Sequence, residues 1–243
     1  MMKAGFQLDL KKTLLYVILL AAVYVVLFIV VVPSDFAVTL AINTWAATTP
    51  PAVQAFARFY TTYAYYIFGA GIIVLVLASF DSEKVKPYRM FLLGYATGFA
   101  AGLGISSLMK AIVAAPRPFQ EYPGQFQLLG LTPPKGASFP SNHAVAGFAM
   151  AAPPMWKFKK WFVWVPLAAY AVTLALSRPF FGVHFVTDIL AGSLIGIAAG
   201  MAFTLLFESM ATQGKLTEDN QRKYLFVMLG VTVLIIVLNI LFG

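Results

Sequence analysis

The chain has no cysteine, only two histidines in 243 residues, and charge on just 11% of its residues. Without cysteine there are neither disulfides nor thiolate metal sites, although the compartment stays open. So little charge beside 60% hydrophobic residues and a mean hydropathy of +0.83 excludes a soluble domain, which could not keep such a composition off its surface. Internal repeats, low-complexity tracts and a second domain are also missing, so residues 1–243 read as one integral membrane domain. What the sequence does have is long apolar runs. Crossing roughly 30 Å of hydrocarbon takes about 20 helical residues. Seven runs approach that length, near 12–32, 61–79, 90–113, 142–156, 161–177, 188–207 and 224–242. The fourth is short and reads as tilted or extended at its ends. The first is longer than a signal-peptide core of about 7 to 15 residues and no small-residue cleavage site follows it, so it reads as an uncleaved span. The expected fold class is an all-α, polytopic membrane helix bundle.

Lysine and arginine orient the bundle. With a cytoplasmic N-terminus, only Arg58, Lys110, Arg117, Lys135 and Arg178 fall on the outer side, leaving twelve of the seventeen basic residues inside. Anionic lipid of the inner leaflet then accounts for most of the net charge of +8, and no nucleic-acid partner is required. The third run carries Gly94, Gly98 and Gly102, the sixth Gly192, Gly196 and Gly200, and the fourth opens with Ala144, Ala146, Gly147 and Ala149. Small residues at every fourth position let helices approach closely in lipid, so these three runs should pack centrally. Between the first two runs, Phe36, Leu40, Trp45, Phe56 and Phe59 around Pro50 and Pro51 suggest short helices lying in the interface. Residues 114–141 form a long Pro/Gly-rich loop whose Phe119, Tyr122, Phe126, Leu128 and Leu129 suit either a lipid-contacting lip or packing on the bundle.

Three polar clusters interrupt the apolar pattern, all on the expected outer side: Lys110 to Pro118, Pro140 to His143, and Ser177 to Asp188. Ionisable groups at the edge of hydrocarbon point first to function. Lys110 at a helix end and Arg117 on a proline-stiffened turn could grip one anion from two sides. Ser141, Asn142 and His143 open the fourth run, where unpaired backbone N–H groups and the positive dipole end favour phosphate oxygens, although a plain N-cap also explains Ser141. Asp188 follows His184 by four residues, about one helical turn, so its carboxylate could accept from one imidazole nitrogen and leave the other lone pair exposed as nucleophile or base. A structural or metal-ligating histidine is the alternative, but two histidines, no cysteine and three nearby cations favour an oxyanion over a dication.

The ordered set Lys110-x6-Arg117-Pro118, Pro140-Ser141-Asn142-His143 and Ser177-Arg178-x5-His184-x3-Asp188 resembles the three-part signature of the type-2 phosphatidic acid phosphatase superfamily, the membrane-bound lipid phosphate phosphatases. The resemblance covers roughly Lys110 to Gly200. It implies a six-helix core, with the motif-bearing part near 90–208 and an additional C-terminal transmembrane helix at 224–242. It implies no cofactor and no metal. His184 would attack phosphorus, Asp188 would orient it, and His143 would protonate the leaving oxygen and later activate water. Lys110, Arg117, Arg178 and the backbone at Ser141 and Asn142 would stabilise the transition state. Where the family motif has glycine this chain has Asn142. Asparagine tolerates left-handed backbone angles, so Asn142→Gly is expected to be tolerated. The stretches around Pro116 to Phe119 and Ser138 to Ala144 look similar to bacterial undecaprenyl diphosphate phosphatases, so a membrane polyprenyl diphosphate is the expected substrate. Phosphatidylglycerophosphate, phosphatidate or lipid A phosphates are alternatives, and a phosphotransferase or a non-catalytic lipid binder or transporter represents another class.

Overall fold

A computed structural model describes residues 10–215, 217, 220–227 and 230. The described chain runs through α1 (Leu10–Val31), α2 (Asp35–Ala47), α3 (Pro51–Asp81), α4 (Arg89–Val113), the short α5 (Pro118–Glu121), α6 (Asn142–Phe158), α7 (Trp161–Phe180) and α8 (Val186–Thr212). Six of the seven apolar runs are thus helices. The seventh, near 224–242, falls mostly outside the described residues. Helices α3, α4, α7 and α8 and the segment Ala22–Ala47 are long and apolar enough to cross a membrane, as befits a multi-pass membrane protein. At 17 residues, α6 is only about 25 Å long. It sits in the middle, with Ala144 to Gly147 and Ala149 to Ala151 buried.

Helix ends follow local chemistry. Pro51 begins α3, where its missing N–H costs nothing. Ala114, in the left-handed conformation at φ 50°, ends α4, and Pro116 and Pro118 prevent its continuation. Inside α6, Pro154 cannot donate to the Met150 carbonyl, and the Tyr95 hydroxyl of α4 takes that acceptor at 2.5 Å.

The glycine ladders set the central packing. A Cβ on Gly98 would lie 2.7 Å from the Ala199 carbonyl oxygen and the Gly200 Cα, and one on Gly94 would lie 2.6 Å from the Phe203 carbonyl oxygen. Helices α4 and α8 therefore touch backbone to backbone. A Cβ on Gly192 would stand 2.6 Å from the Ser141 carbonyl oxygen, so α8 meets the start of α6 equally closely. The C-terminal ends of α4 and α7 and the starts of α6 and α8 share one end of the bundle, which puts the three polar clusters together.

One sequence expectation changes here, and one alternative left open is decided. Residues 51–59 are not a separate interfacial helix, because Pro51 starts a helix that continues unbroken through the span to Asp81; only α2 is short. Of the two readings of the 114–141 loop, the apolar side chains follow packing on the bundle. Phe126 is buried, and Phe119, Leu128 and Leu129 pack with Ala46, Phe180, Phe181 and Val183. Tyr122 and Phe126 meet the Phe36 ring of α2 at centroid distances of 4.5 and 5.9 Å. Burial of large aromatic area in a ready apolar corner wins over exposure at the rim.

Candidate active site

Four helix ends and two connecting segments build the site. After α7, the chain turns at Gly182, whose φ of +62° favours glycine and where a Cβ would strike Phe126 Cβ at 2.9 Å. His184 follows in this turn, outside the helix, and Asp188 lies in the first turn of α8. The Asp188 Oδ2 accepts from His184 Nδ1 at 3.1 Å, from Phe185 N–H at 2.9 Å and from Ser138 Oγ at 2.5 Å. A carboxylate partner requires an N–H at Nδ1, so the acceptor lone pair of the neutral ring is at Nε2. That lone pair is not open to solvent. Arg117 Nη1 donates toward it at 3.0 Å. His184 is 2% exposed, and burial, followed by the charges of Arg117 and Lys110, pushes its pKa well below the usual imidazole value.

Arg117 is the hub of the loop. Its guanidinium also donates to the carbonyls of Val183 (3.0 Å), Gly136 (3.1 Å), Ala137 (3.2 Å) and Lys135 (3.3 Å). A planar fork of five donors is the side chain suited to such a set. Lys110 donates to the carbonyls of Ala137 (2.6 Å) and Ser138 (3.0 Å), so it holds the segment that carries Ser138.

His143 lies on the other wall. Its Nε2 stands 2.8 Å from the Thr61 carbonyl oxygen of α3, which needs an N–H there, and leaves Nδ1 as the nitrogen able to gain and lose a proton. Arg178 Nη1 donates to Thr61 Oγ1 at 2.8 Å and lies 3.5 Å from His143 Nε2. Its Nε is buried with no hydrogen-bond partner among the described residues, a donor in need of an acceptor.

Ser141 is the N-cap of α6: its Oγ accepts from Ala144 N–H at 3.5 Å, while its own N–H goes to the Asp188 carbonyl at 3.1 Å. Asn142 and His143 hold the first two helical positions, where the backbone N–H groups point out of the helix end. Asn142 is not left-handed, as the sequence reading supposed. It opens α6, where glycine and asparagine are both accommodated, and its Oδ1 accepts from the buried Ser106 Oγ of α4 at 2.5 Å. Asn142→Gly is therefore expected to stay active while losing about 1 kcal/mol of stability, the scale of one hydrogen bond. Thermal unfolding beside an activity assay checks this, and an inactive folded variant would contradict it.

All eight residues singled out from the sequence, Lys110, Arg117, Ser141, Asn142, His143, Arg178, His184 and Asp188, thus lie at one end of the bundle. Ser138, Thr61 and Ser106 were missed. A serine or threonine gives no pattern of its own, and only the fold shows which carboxylate or imidazole it meets.

The sequence pattern of the PAP2 superfamily matches residues 91–211. Undecaprenyl-diphosphatase BcrC of Bacillus subtilis is 27% identical over 146 residues, which span 60% of this chain and 70% of that protein. Among solved structures, Aquifex aeolicus LpxE superposes with a TM-score of 0.53 at 24% identity, covering 70% of this chain and 93% of that one. A Bacillus subtilis PAP2-type phosphatidylglycerolphosphate phosphatase gives 0.55 at 21% identity, covering 79% and 96%.

Proposed function

Because the chain belongs to the PAP2 superfamily and is a lipid phosphatase, we propose that it removes the terminal phosphate of a polyprenyl diphosphate, without a metal, at the non-cytoplasmic face of the membrane. The observation that carries this reading is the pairing at His184: Asp188 fixes Nδ1 as the N–H while Nε2, the nucleophilic nitrogen, faces the Arg117 guanidinium. A phosphate entering there meets a cation at the point where the lone pair is presented.

In the first step, His184 Nε2 forms a bond to phosphorus as the bond from phosphorus to the lipid-side oxygen breaks. His143 Nδ1 gives its proton to that oxygen, and Asp188 steadies the charge gained by the His184 ring. In the second step water attacks phosphorus, its proton passes to His143, and the N–P bond breaks to return the electron pair to His184 and release phosphate. Arg117, Arg178 and the first-turn amides of α6 stabilise the added negative charge on the equatorial oxygens, Arg178 Nε gaining the acceptor it lacks. Lys110 works through the loop it holds. Cationic side chains thus supply the charge compensation that a metal would otherwise give. The likeness to a diphosphatase of undecaprenyl lipid favours a polyprenyl diphosphate, and the excess of basic residues at the opposite end of the bundle favours an outer-leaflet site.

The test is phosphate release from undecaprenyl diphosphate in detergent, with and without EDTA, beside phosphatidylglycerophosphate and phosphatidate. Release unchanged by EDTA and fastest on the diphosphate is expected. Loss of activity with chelator overturns the metal-free scheme, and preference for a glycerophospholipid overturns the substrate.

Activity should also pass through a maximum with pH. His184 must be neutral to attack, so protonation removes activity on the acid side, and its lowered pKa puts that limb below the reference value of ~6.5. As pH rises, His143 loses the proton it must deliver, and activity falls again. A flat profile from acid to alkaline pH would contradict two-histidine chemistry.

A further inference from the structure

Helix α2 inverts the usual polarity of a buried face. Asp35, Thr39 and Asn43 recur every fourth residue and so lie along one side of the helix. Thr39 and Asn43 are fully buried, whereas Val38 and Trp45 on other faces are exposed. Burying polar groups is unfavourable unless their hydrogen bonds are made, and here they are made to the segments that carry the site. The Asp35 Oδ1 accepts from the N–H of Val186 at 2.9 Å and of Thr187 at 3.3 Å, and its Oδ2 accepts from the Thr187 hydroxyl. Thr39 Oγ1 stands behind, accepting from Val186 N–H at 3.2 Å. Asn43 Nδ2 donates to the carbonyls of Phe180 (2.8 Å) and Gln127 (2.9 Å), and its Oδ1 accepts from Gln127 N–H at 2.7 Å.

These contacts bracket the nucleophile. Phe180 ends α7, Val186 begins α8, and His184 lies between them. Asp188 takes the Phe185 N–H and Asp35 takes the next two, so two carboxylates from distant parts of the chain together accept from three successive N–H groups at the start of α8. Gln127 belongs to the loop that also carries Arg117. None of the three α2 residues lies within the matched family region, residues 91–211.

We infer that the Asp35-Thr39-Asn43 stripe of α2 is a positioning device, which fixes the His184-Asp188 turn and the Arg117 loop in the geometry that phosphoryl transfer needs. This rests on the phosphatase reading above. The three residues touch no substrate in the scheme and act through the backbone they hold. A small displacement of a nucleophile lowers the rate of the chemical step more than it lowers binding, so the effect belongs in kcat.

The experiment compares the full-length protein in detergent with Asp35→Ala, Asp35→Asn and Thr39→Val, measuring kcat, KM and amide hydrogen exchange by mass spectrometry. Asp35→Ala is expected to lower kcat by roughly 10- to 100-fold with KM changed less than about threefold. Peptides spanning 183–190 should exchange faster and peptides from the centre of α4 unchanged. Asp35→Asn keeps an acceptor oxygen and should recover most of kcat, and the near-isosteric Thr39→Val should give a smaller loss of the same kind. Unchanged exchange at 183–190 in Asp35→Ala overturns the inference whatever kcat does. Faster exchange there with kcat intact, or a loss accompanied by faster exchange throughout the chain, also overturns it. If the wild type releases no phosphate from any substrate, the phosphatase reading fails, and exchange at 183–190 alone decides whether α2 holds the turn.

Discussion

Replacing His184 with alanine is expected to lower phosphate release by roughly 10⁴-fold or more, the scale of removing a covalent nucleophile, while the protein still folds in detergent. The imidazole is buried, but its polar contacts are few: Asp188, Ser138 and Arg117. After its removal Asp188 keeps the Ser138 hydroxyl and the Phe185 N–H, and Arg117 keeps its four backbone carbonyls. The cavity left by the ring is lined by charged and polar groups, so water can fill it. Chemistry therefore suffers far more than stability. Release assays and a thermal melt on the same preparation check both halves, and activity within about tenfold of wild type would remove His184 from the mechanism.

Arg117→Ala is the second large effect. It removes the cation facing His184 Nε2 together with the anchor of the 135–137 segment and of the Val183 carbonyl. The loss in kcat should be about 10²- to 10³-fold, comparable to deleting one preorganised donor from a site of developing negative charge. Arg117→Lys should not restore it, because one ammonium cannot reach the acceptors that the planar fork spans. A second consequence has a definite sign. Burial does most to lower the His184 pKa, and Arg117 is the largest of the charges that lower it further. Its removal should let the His184 pKa rise, and the acid limb of the residual activity should move to higher pH. A limb that stays in place, or moves to lower pH, would contradict the assigned contact.

Most of this site was legible in the sequence because its parts sit at the ends of apolar runs. The runs near 90–113, 142–156, 161–177 and 188–207 became α4, α6, α7 and α8 with modest changes at the ends. A charge next to a span is conspicuous in a chain with so few. The glycine ladders likewise announced close helix contact, since every fourth residue faces the same neighbour. Asp35, Thr39 and Asn43 have the same period, yet their partners lie as far as 152 residues away and, the Thr187 hydroxyl apart, are backbone groups. Nothing in their spacing says what they hold. The 114–141 loop was ambiguous for a related reason: its apolar residues suit lipid and protein equally, and the corner formed by Phe36, Ala46 and Phe180 to Val183 exists only after folding. Asn142 was read through its backbone freedom, whereas its side chain bonds to Ser106 on another helix.

The most direct measurement is rapid acid-free quenching of the enzyme with labelled polyprenyl diphosphate, followed by peptide mass spectrometry under alkaline conditions that preserve phosphoramidates. A phosphoryl group on His184, formed and discharged at the turnover rate and absent from His184→Ala, is the predicted result. Steady phosphate release with no phosphoryl group on His184 at any time, or with one on a different residue, would contradict it.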